Sequence, residues 1–265
     1  YTEDVFLVGA SSRKNVRAIH FEIEFDDYKN EILLPHKYSQ LGPFYSKGDI
    51  NKDGIQDFFV GGASQTTGAM FISNAERKFD AHIFESFEDD KNHEDMGSIF
   101  FDADNDGDVD LYIASGSNEF EENSKLYQDR LYLNDGSNNL IRAKNNLPKI
   151  TSSTLSVTST DIDNDGDLDL FVGGRIIPGK YPLSPKSYFL INENGIFTDK
   201  ISKICKDLEM VGMVTSSLWI DFDKDGDEDL FLTGEWMDIK YFENEGGKLT
   251  DNTKELGLEN TAGWW

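Results

Sequence analysis

The sequence predicts an all-β chain, built as a β-propeller of four-stranded antiparallel blades with metal-binding A–B hairpins. Three observations carry that reading. A nine-residue acidic loop recurs four times, each copy runs directly into a short apolar strand, and helical periodicity is nearly absent.

The loop copies are DINKDGIQD from Asp49, DADNDGDVD from Asp102, DIDNDGDLD from Asp161 and DFDKDGDED from Asp221, with starts 53, 59 and 60 residues apart. The strands that follow are DFFVGG, DLYIASG, DLFVGG and DLFLTG, so the repeat is a whole structural unit and not a loop alone. One unit reads as four strands, A to D: LSVTSTD ending at Asp161, DLFVGG, SYFLIN from Ser187 and GIFTD from Gly195. The B strand is apolar at consecutive positions, Leu170, Phe171 and Val172, as expected of a sheet covered on both faces. Repeated four-stranded sheets packed by both faces describe a propeller. Only short stretches such as KELGL near Lys254 read as helical.

On this reading residues 1–265 form a single domain. A partial blade occupies 1–42, where DVFLVG (4–9) repeats a B strand without its acidic loop. Blades follow at about 43–95, 96–150, 151–210 and 211–260, and GWW begins a further strand within 261–265. The content is about five blades' worth, which fits a five-bladed ring or part of a larger one.

Within each loop, oxygen-bearing side chains stand at positions 1, 3, 5 and 9 with Gly at position 6. Side chains at 1, 3 and 5 converge on one point only if the backbone turns sharply after 5, which glycine permits through positive φ. The turn aims the position 7 carbonyl inward, and position 9 closes the cage. The ligand sets are therefore Asp49, Asn51, Asp53, Ile55 and Asp57; Asp102, Asp104, Asp106, Asp108 and Asp110; Asp161, Asp163, Asp165, Asp167 and Asp169; and Asp221, Asp223, Asp225, Asp227 and Asp229. All-oxygen sites with flexible geometry select Ca2+ before Mg2+, so about four Ca2+ ions are expected. An EF-hand would place Glu at position 12, but Val60, Ile113, Val172 and Leu232 stand there. The first loop has the fewest carboxylates, and the weakest site is expected there.

The net charge of −25, from 25 basic and 50 acidic residues, argues against nucleic acid as a partner, since phosphate neutralisation needs an excess of Lys and Arg. The loops hold 19 of the 50 acidic residues, and bound cations explain how such clusters are tolerated. No apolar run is long enough to span a membrane and no N-terminal segment reads as a signal peptide, so the chain as given is expected to be soluble. Cys205 is the only cysteine and reads as a buried hydrophobe. His20, His36, His82 and His93 show no metal-ligand spacing and read as surface residues.

The unit D-x-[DN]-x-D-G-x-x-D followed by DLFVGG resembles the FG-GAP or VCBS repeats of integrin-α-like propellers. That resemblance implies calcium in the A–B hairpin of each blade and a secreted or surface-attached protein. Further segments, among them SGSNEF with YQDRLYLNDG and the closing GWW, are similar to bacterial VCBS-repeat proteins of the ASPIC/UnbV group, whose propellers usually hold seven blades.

Antiparallel succession places the A–B loops at one end of the blades and the B–C loops at the other. The segments after strand B are polar, variable and longer than hairpins need, which is where a rigid scaffold carries binding function. They supply the ligand candidates Arg13, Asn118, Glu119, Phe120, Arg130, Arg175, Tyr181, Glu235 and Trp236. The blander roles are Glu119 paired with Arg130 or Arg175 to brace neighbouring blades, and Trp219 packed in the core.

The expected function is a non-catalytic, calcium-stabilised extracellular or cell-surface propeller that binds a protein partner or a glycan. One alternative is a polysaccharide lyase or hydrolase using a pair such as Glu119 and Glu235, with Arg175 or Lys180 recruited. The other is a structural subunit of a larger surface complex, which an apolar patch along the open edge would favour.

Overall fold

The computed structural model describes Lys14, Val16, residues 20–29 and residues 31–265. Four antiparallel sheets follow one another along the chain, each in simple meander order. The first holds β1 (Tyr45–Gly48), β2 (Asp57–Val60), β3 (Ala69–Ser73) and β4 (Phe79–His82). The second holds β5 (Asp95–Phe101), β6 (Asp110–Ser115), β7 (Arg130–Asn134) and β8 (Leu140–Arg142). The third holds β9 (Ser153–Thr160), β10 (Asp169–Ile176), β11 (Tyr188–Glu193) and β12 (Ile196–Asp199). The fourth holds β13 (Met213–Ile220), β14 (Asp229–Met237), β15 (Lys240–Asn244) and β16 (Leu249–Asp251).

These are the blades of a propeller. The innermost strand of each sheet packs against that of the next, β1 on β5, β5 on β9 and β9 on β13. Hydroxyls line this seam: Ser98 Oγ donates to Ser46 Oγ at 2.7 Å, and Ser217 Oγ lies 2.6 Å from Ser156 Oγ and 2.9 Å from Thr158 Oγ1. The second strand of each blade carries the hydrophobic load. Leu170, Phe171 and Val172 are all fully buried, as their unbroken apolar run requires.

One apolar cluster fills each space between blades. Ile50, Phe59 and Met70 of the first blade meet Leu111 and Ile113 of the second. Met96, Tyr112 and Leu131 of the second meet Leu170, Val172 and Leu190 of the third. Phe171 and Phe189 of the third meet Val214, Trp219 and Leu232 of the fourth. Trp219 is thus a core residue, with its ring edge-on to Phe189 at 6.0 Å, and Cys205 is buried in the same cluster.

Blade approach is closest at Gly97 in β5, where a Cβ would sit 1.9 Å from the Leu155 carbonyl oxygen of β9. Backbone cannot step aside as a side chain can, so Gly97→Ala must push two blades apart. We expect a loss of about 2–3 kcal/mol, the upper part of the overpacking range, measured as a lowered urea midpoint.

Several features depart from the sequence reading. Residues 253–257, within which KELGL begins, form turns and not a helix. Two short helices, α1 (Glu85–Asp90) and α2 (Ile201–Ile204), lie in connections between the last strand of one blade and the first of the next, and they bury Phe87 and Ile201. They are too short to show a period. The strand β17 (Gly263–Trp264), read as the start of a further unit, pairs with the extended end of β14 at Glu235 and Met237. DVFLVG (4–9) lies outside the described residues. The described part of 1–42 forms no strand and carries a 3-10 turn at Asp27–Lys29.

The outer faces of the end blades are apolar and exposed: Tyr45 on the first, and Leu218, Ile220 and Phe222 on the fourth. No helix among the described residues is long and apolar enough to cross a membrane.

Candidate metal centres and ligand face

The four loops share one backbone. Position 6 glycines adopt φ of 82°, 87°, 97° and 106° at Gly54, Gly107, Gly166 and Gly226, as the spacing predicts. Position 4 is left-handed as well: Lys52, Asn105, Asn164 and Lys224 have φ between 55° and 67°. The sequence reading missed that second turn, although Asn in two copies is its usual signal.

Carboxylates organise the turn. Asp49, Asp102 and Asp161 at position 1 accept the glycine amide at 2.8, 2.9 and 3.0 Å. Position 5 carboxylates accept the position 7 amide, at 2.7 Å for Asp53, 2.8 Å for Asp106 and 2.9 Å for Asp165 and Asp225.

Position 9 is a latch between strands. Each of Asp57, Asp110, Asp169 and Asp229 is fully buried. One oxygen accepts the position 2 amide (Ile50, Ala103, Ile162, Phe222) and the other accepts an amide at the last or last but one residue of the third strand (Ser73, Asn134, Asn192, Asn244), all at 2.7–3.1 Å. Position 9 therefore welds loop to sheet while leaving further lone pairs on each oxygen.

The carboxylates converge as a cation site demands. Asp102, Asp104 and Asp110 bring one oxygen each within 4.8 Å of one another, and so do Asp161, Asp163 and Asp169, and Asp221, Asp223 and Asp225. In the second loop Asp102 Oδ1 and Asp104 Oδ1 are sealed from solvent with no hydrogen-bond partner, acceptors that a bound cation would satisfy. Burial pushes the Asp110 and Asp169 carboxyls up to about 7, against two backbone N–H groups that favour charge, and the loop carboxylates beside them push the same way. The residues present fit a divalent, oxygen-loving ion.

The first loop is the outlier. Asp53 spends its second oxygen on the Asn51 amide at 3.1 Å and the Ser73 hydroxyl at 3.2 Å, and no such convergence of carboxylates forms there among the described residues.

Position 7 has a role that sequence reasoning did not find. Its side chain joins one blade to the next through position 4 of the preceding loop. Lys52 pairs with Asp108, Asn105 donates to Asp167, and Asn164 donates to Asp227 at 3.4 Å. The same carboxylates take backbone amides of their own blade's hairpin, Asn194 to Asp167 at 2.7 Å and Gly246 to Asp227 at 2.9 Å. Ile55 lacks the carboxylate for such a link.

At the opposite end, the ligand candidates separate into groups. Asn118, Glu119 and Phe120 line a cleft of about 340 Å3 with Phe25, Asp27 and Glu31. Arg175, Tyr181, Glu235 and Trp236 form a second group. A buried ion pair joins Arg175 to Glu235, Tyr38 Oη donates to the same carboxylate, and the Arg175 guanidinium lies 4.8 Å from the Tyr38 ring centre. Burial, and then that hydrogen bond, raise the Tyr38 hydroxyl far above its usual range. His36 stacks on Tyr38 at 4.5 Å.

Trp236 lies within β14, not beyond it, at a β-bulge, and is 58 % exposed with φ 57°. Its Nε1–H donates to Tyr181 Oη, and its ring meets Trp264 edge-on at 5.5 Å. Glu31 ties the two groups together, accepting the Tyr181 amide at 2.8 Å and the Asn118 side-chain amide at 3.0 Å.

Two candidates leave this picture. Arg13 lies outside the described residues. Arg130 is buried, with Nη2 2.7 Å from Asp95 Oδ1, so it braces strands instead of facing a ligand. Glu119 pairs with neither Arg130 nor Arg175, because both guanidinium groups are taken by other carboxylates. Tyr38, His36 and Glu31 were not legible as site residues, since they come from the irregular segment that no repeat covers. The histidines are also not uniformly on the surface: the His20 and His93 side chains are largely buried, and burial lowers His93 to about 4.

The model of the FG-GAP-like repeat family matches residues 102–172, from the second acidic loop into β10. Among solved structures, the chain is similar to a lectin from Agrocybe aegerita described for specific recognition of non-reducing terminal N-acetylglucosamine. The two are 17% identical with a TM-score of 0.52, over 77% of this chain and 49% of the lectin chain, which shows a shared fold. This chain thus matches about half the length of that lectin. No curated protein matches the sequence. Residues 102–172 carry an FG-GAP-like repeat, and the chain around them is an all-β array of four-stranded propeller blades.

Proposed function

We propose that the protein is a non-catalytic, calcium-stabilised propeller that acts outside the cytoplasm and binds a glycan through its B–C loop face. The observation that carries this reading is the exposed Trp236, held in the left-handed region at a β-bulge, beside Tyr181 and Trp264. A bulky residue in that conformation is costly, and such outliers persist where surrounding structure enforces them, often at binding sites. Aromatic rings next to a polar cleft supply the stacking face and the hydrogen-bonding groups that a sugar ring needs.

The shared fold with a lectin supports the same ligand class. A protein partner is the other occupant this face would accept. The non-catalytic reading rests on Glu235, which is committed to Arg175 and Tyr38 and so is not free to act as a base with Glu119. Loops of this type suit the millimolar Ca2+ of the extracellular space.

A glycan array probed in Ca2+ is expected to show retention of a defined set of sugars. Trp236→Ala should weaken that binding about 30-fold, as loss of an aromatic hot spot worth about 2 kcal/mol does, with little change in melting temperature. Reducing-end release from a bound polysaccharide would replace this reading with the enzymatic one, and unchanged binding by the variant would remove Trp236 from the site.

A second reading, a subunit of a larger surface complex, is favoured by the exposed apolar faces of the two end blades. Concentration-dependent self-association in sedimentation experiments, abolished by Leu218→Glu, would support it. A strictly monomeric protein would count against self-assembly.

A further inference from the structure

The irregular N-terminal segment and the second blade bring a separate set of donors together, none of them part of an acidic loop. His20, Glu22 and Glu94 each place one ligand atom within 4.8 Å of the others, and His20 Nε2 lies 2.6 Å from Glu22 Oε1. Glu94 is 1 % exposed, just before β5, and its carboxylate accepts the Ser64 amide.

Just after β6, the Glu119 carboxylate stands close enough for its charge to act on Glu94. Both its oxygens are sealed from solvent without a hydrogen-bond partner, as are Glu22 Oε2 and His20 Nδ1. The charges of Glu22 and Glu119 both act on Glu94, and that of Glu22 on Glu119. The Arg130 guanidinium, in the same blade, is already paired with Asp95.

Buried carboxylates gathered this way need either protons or a cation. An imidazole among them changes which cation. Nitrogen with carboxylate oxygen suits Zn2+ and the other transition ions, whereas Ca2+ takes oxygen alone. The ring is seated for this: the Gly42 backbone lies against it, where a Cβ would come within 2.8 Å of His20 Nε2. We propose that His20, Glu22 and Glu94 form a site for one divalent transition cation, with the Glu119 carboxylate beside it, which pins the N-terminal segment across the second blade beside the ligand cleft.

The test uses the whole chain with its acidic loops saturated by millimolar Ca2+, so that added transition metal reads only this site. Titrated with Zn2+ in a calorimeter at neutral pH, the wild type is expected to bind one equivalent. His20→Gln and Glu94→Gln should each weaken it at least tenfold, while Lys78→Ala, at an exposed ion pair outside every candidate site, leaves it unchanged. Co2+ should give visible absorption characteristic of nitrogen and oxygen ligation, lost in His20→Gln.

His20 lies outside every sheet, so that variant keeps the blades intact even if Glu94→Gln fails to fold. Absence of a Zn2+ equivalent in the Ca2+-loaded wild type, or equal Zn2+ affinity in His20→Gln, would overturn the proposal. The outcome is independent of whether the cleft binds a glycan.

Discussion

Protein stripped with a chelator is expected to melt far below the same protein in millimolar Ca2+. Binding to the folded state alone contributes about 2.7 kcal/mol per site at a hundredfold excess over Kd. The three loops whose carboxylates converge would then supply about 8 kcal/mol, a rise of about 15 to 30 °C for a chain of this size. Any binding to the unfolded acidic stretches reduces that figure.

The pH dependence adds a signature that generic salt effects lack. Asp110 and Asp169 have carboxyls raised to about 7 in the metal-free fold, above their unfolded values near 4. A carboxyl raised on folding stabilises when protonated, so this contribution is whole below pH about 4 and is lost as pH rises through about 7. In chelator, these two groups should make the melting temperature fall across that window, and Ca2+ should remove the fall by favouring the charged form. Differential scanning calorimetry in EDTA and in Ca2+ at several pH values checks both effects. Coincident melting curves with and without Ca2+ would sink the metal reading of the loops.

The fold was legible because it rests on local, repeated signals. Position 6 glycines, the acidic spacing and the unbroken apolar B strands each recur in register, and strand limits such as 153–160 and 169–176 agree with the sequence reading to a residue or two. The backbone of the candidate site followed for the same reason.

Roles that depend on a partner from another unit did not follow. That Asp167 faces Asn105, or that Asp108 pairs with Lys52, is set by how units stack and not by spacing within one unit. The ligand face was least legible. Glu31, His36 and Tyr38 come from irregular chain, and the charged residues of the B–C loops could be assigned partners only once burial was known. Glu119 shows this, since it was expected to pair with an arginine and instead stands unpaired in a buried site.

Arg130 decides between those two kinds of role, and its replacement should have the largest effect of any single side chain considered. Its guanidinium is buried, with Nη2 2.7 Å from Asp95 Oδ1 and Nε donating to Ser115 Oγ at 3.2 Å. Asp95 also holds the second-strand end of the first blade, accepting the Gly62 amide at 2.8 Å. The pair therefore clamps the first blade to the second at the ligand end.

Breaking a buried ion pair from one side leaves a charge with neither water nor partner, which costs about 3–5 kcal/mol. Arg130→Met should lose that much in a denaturant titration in Ca2+, with the midpoint moved and the slope unchanged. Combining it with Asp95→Asn should recover part of the loss, because the orphaned charge goes too. Lys78→Ala, which breaks the exposed pair with Glu76, should leave the midpoint where it is, since water already solvates both groups. If Arg130 served a ligand instead, the Met variant would keep wild-type stability and lose only binding, and the clamp would then have to be abandoned.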